Sequence, residues 1–333
     1  MISVAVNDQS QVGEARREAS AVASQQGFNE VDAGRVGLVA TELGTNLVKH
    51  AHGGEILVGA QEVGGGDGMQ ILALDKGRGM LNVQACLADG YSSAGTAGQG
   101  LGAVIRMSTF VDIASWPGVG TAVLAIIAPG KTRAEHATFR SACGAVSVAK
   151  SGEDVCGDAW ATDHNGASTT LFVADGLGHG PGAAEAAVEA VRLFRRFNGH
   201  QVPTLLDYVH GGLRSTRGAA ISMARYEPNS EQVIFGGIGN VAGVLAFRNE
   251  LRRMVAMPGT AGYSVRKIQS FQYPFKAGLV ILCSDGISTS WTLDRYPNLE
   301  AAHPTLIAAV LYRDFGRRRD DATVLVGKWA AHA

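Results

Sequence analysis

The spacing of apolar residues in the first part of the chain predicts helices packed on a sheet. Apolar side chains recur at helical intervals over residues 8–26 and again over residues 31–51. Shorter apolar runs at 55–60 and 69–74 flank a glycine-rich turn and predict paired strands. A helix near 101–109 and two further strands complete the segment. Helices with a mostly antiparallel sheet form a two-layer α/β sandwich, which we expect here.

The second part has a different pattern, in which short apolar strands adjoin acidic residues. Apolar runs at 171–174 and 278–284 predict buried strands, and three other segments have helical spacing. Polar and charged residues at 129–139 separate the two parts. The sequence therefore predicts an α+β protein with two domains, residues 1–128 and 140–333, joined by a short linker.

Composition narrows the class of protein. The 333 residues are 46% hydrophobic and 18% charged, which is typical of soluble globular domains. A formal net charge of −1 argues against a nucleic-acid-binding surface, and no apolar stretch approaches the roughly 20 residues of a membrane span. Because the N-terminus lacks a signal-peptide pattern and the four cysteines are widely spaced, we expect a cytoplasmic protein without a disulfide framework or zinc knuckle.

Glu42 and Asn46 are the first pair with candidate chemistry. Their i, i+4 spacing places both on one face of the second predicted helix. A carboxylate and an amide oxygen on one face can serve as a general base and a metal ligand. Two solvated polar residues on an amphipathic helix would give the same pattern.

Two glycine-rich stretches follow. Asp75 ends an apolar strand and precedes Lys-Gly-Arg-Gly. Its carboxylate can accept a hydrogen bond from a ligand amine, while the glycines let the backbone approach closely. Residues 95–102, GTAGQGLG, lead into a helix, whose first backbone N–H groups suit phosphates. Either stretch alone could also be an ordinary flexible loop.

In this order the three motifs resemble the N, G1 and G2 boxes of the GHKL ATPase superfamily. The phrase ELGTNLVKHA is most similar to the RsbT-like anti-sigma-factor serine kinases. The resemblance implies a Bergerat fold that binds ATP with Mg²⁺. Asn46 would bind the Mg²⁺, Glu42 would activate a protein serine, and Asp75 would bind the adenine amine. The other nucleotide-binding positions would be Gly77, Gly79, Gly98, Gly100, Gly102 and Thr121.

Four aspartates in the second part adjoin apolar strands. They are Asp158, Asp175, Asp285 and Asp320. Asp175 is followed by GLGHGPG, a turn whose backbone carbonyls are available to a hard cation. Carboxylates that converge repel one another unless a cation is bound. The sequence alone leaves open whether the four converge or are separate turn residues.

These motifs resemble the PPM-type metal-dependent protein phosphatases, in particular the SpoIIE-like and RsbX-like group, over roughly residues 140–328. The resemblance implies a four-layer α/β/β/α sandwich with two Mn²⁺ or Mg²⁺ ions. Asp175 would bridge the ions in catalysis, and the Gly176 carbonyl would bind one of them. The other ligands would be Asp158 for the second ion and Asp285 and Asp320 for the first. Whether Asp320 or the adjacent Asp321 is the ligand stays open.

Together the two resemblances imply a bifunctional regulatory switch enzyme. A metal-dependent serine/threonine phosphatase and an ATP-dependent serine kinase would act on a STAS-domain anti-sigma-factor antagonist. Further switch or sigma-regulatory proteins and a homodimer are expectations at the level of the family. In the alternative hypothesis, the first domain is a non-catalytic ATP- or partner-binding module that regulates the phosphatase. The presence of Glu42 argues against that alternative, because a pure binding module needs no base.

Overall fold

The chain divides by its internal contacts into two units. The structure, a computed structural model, describes residues 1–63, 66–83, 100–130, 142–248 and 250–330. The first unit comprises Met1–Ser141 and Ala301–Arg313, and the second comprises Ala142–Glu300 and Asp314–Ala333. Across these described ranges no helix is long and apolar enough to span a membrane.

The first unit is a layer of helices on a sheet. Its elements up to residue 130 are β1 (Ile2–Val6), α1 (Gln9–Gln25), α2 (Glu30–Asn46), β2 (Gly54–Val63), β3 (Gly66–Leu74), α3 (Gly100–Met107), β4 (Phe110–Trp116) and β5 (Gly120–Ile127). The strands form one antiparallel sheet in the order β1-β2-β3-β5-β4. Helices α1 and α2 pack on one face of it, as the sequence predicts.

Local sequence determines where these helices begin. The Asp8 carboxylate accepts two backbone hydrogen bonds at the start of α1, and the Asn29 side chain accepts one at the start of α2. Beyond Asn46 the second helix continues as one π-helical turn, Leu47–Ala51. Such turns are frequent at functional sites. The predicted helix over 31–51 is therefore present, with a changed geometry in its last turn.

Both faces of this sheet are buried. Ile71 and Val123 contribute to the core formed with α1 and α2. Because successive strand residues point to opposite faces, Leu72 and Leu124 point away from those helices, and they are also fully buried. A second layer must therefore cover the sheet.

The second unit contains two sheets. Its elements are β6 (Cys143–Val148), β7 (Asp158–Asn165), β8 (Ser168–Gly176), α4 (Pro181–Arg196), α5 (Val202–Gly212), β9 (Ala219–Glu227), β10 (Gln232–Ile238), β11 (Ala242–Phe247), β12 (Glu250–Met254), β13 (Gly259–Thr260), β14 (Ser264–Val265), β15 (Phe271–Pro274), β16 (Gly278–Cys283) and β17 (Ala322–Trp329). The sheet orders are β15-β10-β9-β8-β7 and β12-β11-β16-β17-β6, and β13 and β14 form a short hairpin.

Strand β8 shows how the layers of the second unit pack. Phe172 and Ala174 face α4 and α5 in one core. Leu171 and Val173 face the second sheet in another core, together with residues of β16 and β17. This alternation is that of a central strand covered on both faces. The predicted α+β class with two domains is confirmed.

Helix α6 (Pro304–Phe315) differs from the predicted domain division. The sequence assigns it to the second domain, whereas most of it belongs to the first unit. Every residue of Pro304–Arg313 is buried, so the helix needs partners on all sides. Within the first unit, the Tyr312 hydroxyl donates a 2.9 Å hydrogen bond to Glu55 on β2. The predicted linker, 129–139, lies outside the described residues from position 131 onward.

Candidate active sites

The centre of the candidate metal site is a pair of aspartates on neighbouring strands. Asp158 is the first residue of β7 and Asp175 is the penultimate residue of β8, and the antiparallel register places them directly opposite each other. Side chains opposite each other in such a ladder lie on the same face. The backbone thus brings together two acids that are 17 positions apart in sequence.

A turn from the second sheet reaches this pair. Asp285 follows β16, and the hydroxyl of the preceding residue, Ser284, donates a 2.6 Å hydrogen bond to Asp158 Oδ2. The amide of Asn240 donates to Asp285 Oδ2 at 2.7 Å. After α6, the N–H of Arg317 donates to the carbonyl of Gly286. The Asp285 turn is therefore held in place by side-chain and backbone hydrogen bonds.

The carboxylates of this cluster interact electrostatically. Burial is the largest cause of a raised pKa for Asp175, followed by the charges of Asp158, Asp285 and Asp320. The pKa of Asp158 is raised by burial, the Ser284 and Thr323 hydrogen bonds oppose this increase, and the charges of Asp321 and then Asp285 raise it further. The pKa of Asp285 is raised by burial and then by Asp320. The charges of neighbouring acids thus contribute to the raised pKa values of Asp158, Asp175 and Asp285.

Two carboxylate oxygens at the cluster fit a cation. Asp158 Oδ1 and Asp321 Oδ2 are both buried and have no hydrogen-bond partner among the described residues. A buried carboxylate oxygen without a partner is costly, and a divalent cation with oxygen ligands would satisfy it. Within the described residues, however, no three His, Cys, Asp or Glu side chains already stand in metal-binding geometry. The repulsion between the carboxylates favours this separation, and a cation would relieve it.

Asp320 and Asp321 contact different parts of the cluster. Asp320 is close enough to Asp175 and Asp285 to raise the pKa values of both. Asp321 is buried, and its Oδ1 accepts a 2.9 Å hydrogen bond from the N–H of Lys150. Asp321 Oδ2 is also buried without a hydrogen-bond partner among the described residues, and the charge of Asp321 raises the pKa of Asp158. Both aspartates therefore adjoin the cluster, and Asp320 as the ligand stays a prediction.

Gly176 shows why the loop after β8 must carry glycine. A Cβ at this position would lie 2.1 Å from the carbonyl oxygen of Ala183 in α4. The Gly176 N–H donates to the carbonyl of Gly157, next to Asp158. Any side chain at Gly176 would push the helix away from the strand end, so glycine keeps its carbonyl beside the acids.

Sequence reasoning missed several residues of this site. Ser284, Asn240 and Thr323 hold the acids but have no motif of their own. Arg217 was also missed: a Cβ on Gly182 would lie 2.6 Å from its guanidinium carbon, so it packs on the loop after Asp175. Among these residues, only Ser284 could have been suspected from the sequence, because it immediately precedes Asp285.

The first unit brings the predicted base, the predicted metal ligand and the first residue of α3 together. Glu42 and Asn46 are half-buried on the last turns of α2. A Cβ on Gly100, the first residue of α3, would lie 3.2 Å from Glu42 Oε2 and 3.4 Å from Asn46 Oδ1. The N-terminus of α3 therefore faces these side chains. Gly102 is buried in α3, and Gly98 lies outside the described residues.

Asp75 shapes the turn after β3. Its Oδ1 accepts hydrogen bonds from the N–H groups of Gly77 at 2.8 Å and Thr121 at 3.1 Å. Burial raises the pKa of Asp75, and these two N–H groups oppose the increase. Gly79 has φ +68°, and a Cβ there would lie 2.1 Å from the carbonyl oxygen of Trp116. Four predicted nucleotide-site residues thus lie around one turn.

Comparison with known proteins matches each part of the chain separately. The family model described as a histidine kinase-like ATPase domain matches residues 5–127, and that of stage II sporulation protein E (SpoIIE) matches residues 165–330. The serine/threonine-protein kinase RsbT of Bacillus subtilis (strain 168) is 33% identical over 112 residues, which are 34% of this chain and 84% of RsbT. The phosphoserine phosphatase RsbX of the same organism is 26% identical over 96 residues, 29% of this chain and 48% of RsbX.

Two solved structures resemble the chain in fold. One, from a study of the bacterial stressosome as a modular system adapted to control secondary messenger signalling, has 28% identity and a TM-score of 0.51, covering 56% of this chain and 98% of that one. A crystal structure of RsbX in complex with magnesium has 21% identity and a TM-score of 0.50, covering 56% and 94%. The second likeness shows the fold alone.

These matches define the class of protein. The chain belongs to the histidine kinase-like ATPase family through its first 127 residues, and it carries a SpoIIE domain in the same polypeptide. It is a fusion of an RsbT-like domain with a PPM-type serine/threonine phosphatase domain, as the sequence motifs predict.

Proposed function

We propose that this protein removes phosphate from a phosphoserine or phosphothreonine at the Asp175 cluster and adds phosphate from ATP at the Glu42 site. The shared substrate would be a STAS-domain anti-sigma-factor antagonist. One observation carries the proposal: Asp158 and Asp175 from one sheet lie close to Asp285 from the other, and Asp158 Oδ1 is buried without a hydrogen-bond partner among the described residues.

The phosphatase reaction follows from what these residues can hold. Two Mg²⁺ or Mn²⁺ ions would supply an activated water and neutralise charge on the phosphoryl oxygens. Asp175 and the Gly176 carbonyl would hold the ions from β8. Ser284 orients Asp158 by donating to its Oδ2. Asn240 orients Asp285 in the same way. The remaining ligands of the proposed set are Asp158, Asp285 and Asp320.

The kinase reaction is supported by the proximity of Glu42 and Asn46 to Gly100, at the N-terminus of α3. Asn46 would bind the Mg²⁺ of ATP, and the N-terminus of α3 would face the phosphates. Glu42 would accept the proton of the protein serine as it attacks the γ-phosphate. Asp75, with Thr121 beside it, would accept a hydrogen bond from the adenine amine.

The test uses the full chain and a candidate STAS protein. Wild-type protein is incubated with labelled ATP, Mg²⁺ and the STAS protein, and the experiment is repeated with Asp175→Ala and Glu42→Ala. We expect label to accumulate with Asp175→Ala, because removal is blocked, and not with Glu42→Ala. Release of phosphate from the phosphorylated STAS protein should require Mn²⁺ or Mg²⁺ and Asp175.

Two results would change this assignment. If Asp175→Ala transfers no label, the first unit is not a kinase for this substrate, and the non-catalytic module becomes the better hypothesis. If wild type releases no phosphate from a phosphoserine protein with either ion, the phosphatase proposal is wrong. Asp163→Asn is the matched control, because Asp163 lies on β7 with Asp158 but is paired with Asn198 away from the cluster.

A further inference from the structure

Arg313 lies within the SpoIIE match but contacts the ATPase-like sheet. Its guanidinium donates from Nη1 to the carbonyl oxygen of Asp75 at 2.9 Å, across 238 positions of sequence. Its side chain is buried, with 4% of the residue exposed. A buried hydrogen bond from a charged donor is among the stronger contacts that a protein makes. Both residues belong to the first unit.

The carbonyl that Arg313 contacts is part of a tightly fixed turn. The Asp75 N–H donates to the Thr121 carbonyl at 2.9 Å, and the Asp75 carboxylate accepts from Gly77 and Thr121. A Cβ on Gly120 would lie 2.1 Å from the Asp75 carbonyl oxygen. The carbonyl is therefore enclosed between Gly120 and Arg313. Arg313 holds the backbone of Asp75 in place, and the N–H groups of Gly77 and Thr121 hold its carboxylate.

Arg313 is presented by an anchored helix. At one end of the segment, the N–H of His303 donates to Asp112 Oδ2 on β4 at 2.7 Å. At the other end, the Tyr312 hydroxyl donates to Glu55 on β2. The segment therefore crosses the sheet from β4 to β2, with Arg313 reaching the end of β3 between them. A side chain on such a fixed element can hold its partner with little loss of geometry.

We propose that Arg313 is a positioning residue for adenine recognition, because it holds the Asp75 turn in the conformation in which the Asp75 carboxylate can bind the base. This inference rests on the proposed ATP site of the first unit. The segment Ala301–Arg313 is then a working part of the nucleotide-binding unit, although its sequence belongs to the phosphatase family. By linkage, nucleotide binding stabilises the docking of this segment, and the docked segment strengthens nucleotide binding.

The test compares Arg313→Gln, Arg313→Lys and Tyr312→Phe in the full chain. Calorimetry measures the Kd of ATP and of GTP, and hydrogen exchange measures the N–H groups of Gly77 and Thr121 without nucleotide. We expect Arg313→Gln to raise the Kd of ATP about tenfold, the effect of one hydrogen bond to a charged group, and to raise that of GTP much less. The conservative Arg313→Lys should recover part of the affinity.

Tyr312→Phe is the matched control, because it removes a contact of the same helix at β2 and leaves the Asp75 turn intact. Glu55 Oε1 keeps the Ser3 hydroxyl as a donor. We expect its Kd values and exchange rates to stay within twofold of wild type. In Arg313→Gln, exchange at Gly77 and Thr121 should accelerate before any nucleotide is added.

The outcomes separate the inference from the proposed function. If Arg313→Gln lowers the melting temperature but leaves the ratio of the two Kd values and the exchange rates unchanged, Arg313 has only a structural role and the inference is wrong. If wild type binds neither ATP nor ADP, the proposed function of the first unit is wrong. Accelerated exchange at Gly77 and Thr121 in Arg313→Gln would then still support the positioning of the turn.

Discussion

The two candidate sites differ in how their carboxylates are stabilised. The Asp175 cluster collects four carboxylates and a buried oxygen without a hydrogen-bond partner among the described residues, so its own charges destabilise it. The Asp75 turn has one carboxylate that already accepts two backbone hydrogen bonds, with Arg313 on the carbonyl behind it. A bound cation would relieve the repulsion in the first arrangement, whereas in the second the N–H groups of the chain itself oppose the effect of burial on the carboxylate. Ligand removal should therefore affect them differently.

The largest expected effect is the loss of phosphatase activity in Asp175→Asn. Because the proposed bridge between two ions would be lost, we expect kcat/KM on a phosphoserine protein to fall about 10³-fold or more. The measurement is phosphate release at saturating Mn²⁺, with Asp163→Asn as the control. Activity within tenfold of wild type would show that Asp175 is not a bridging ligand.

In the first unit, Glu42→Gln should reduce labelled phosphate transfer to the STAS protein about 10²-fold, the usual contribution of a general base. The Kd of ATP should stay unchanged, because Glu42 would act on the protein serine. Glu30→Gln is the matched control, since Glu30 is exposed at the start of the same helix. A large rise in Kd would instead make Glu42 part of the nucleotide site.

Substitution of Asp320 should mainly affect activity, whereas substitution of Asp321 should mainly affect stability. Asp320→Ala should lower metal-dependent activity at least tenfold with a small change in unfolding free energy. Asp321→Ala should cost about 2 kcal/mol of unfolding free energy, because the N–H of Lys150 would lose its acceptor. Urea unfolding and phosphatase assays on both variants provide the measurement. The reverse pattern would assign the metal to Asp321.

Stability without ligand gives the most direct contrast between the sites. In metal-free protein, Asp175→Asn should raise the unfolding free energy by about 1 kcal/mol, because it removes one of the repelling charges. Asp75→Ala should lower it by about 2 kcal/mol, because two N–H groups would lose their acceptor. Urea unfolding in EDTA measures both. If both substitutions changed the unfolding free energy in the same direction, the contrast between the two sites would be wrong.

A further expected effect is a pH dependence of the metal-free protein. The raised pKa values of Asp158, Asp175 and Asp285 mean that the folded state keeps protons that the unfolded state has lost. This stabilisation is complete below the ordinary aspartate pKa of about 4 and is lost as the pH rises through the raised values. Unfolding in EDTA should therefore show lower stability at pH 8 than at pH 5. Asp175→Asn should flatten this slope.

Many elements and candidate site residues could be predicted from the sequence, because they depend on residues that are close together in the chain. Apolar runs followed by an acid located Asp175 and Asp285, and i, i+4 spacing placed Glu42 and Asn46 on one helical face. What the sequence could not supply is pairing over long separations. The contact between Ser284 and Asp158 spans 126 positions, and neither residue's neighbourhood encodes it.

Helix α6 illustrates the same limit in a different way. The sequence predicts a short helix at 305–312, and residues 304–315 are helical. Composition does not say which sheet a helix covers, since an element that is apolar on all sides can pack against any apolar face. The polar contacts of His303, Tyr312 and Arg313 decide the matter, and these appear only in three dimensions.

The placement of α6 has a consequence for how such a protein can arise and be taken apart. A gene fusion that merely joined a kinase to a phosphatase would leave two pieces separable at the linker. Here the segment that completes the first piece is encoded about 170 residues later, inside the second. Cutting the gene after codon 130 would leave Asp75 without Arg313, Glu55 without Tyr312 and Asp112 without the N–H of His303. The first unit therefore cannot be separated from the second by a single cut at the linker without losing residues 301–313.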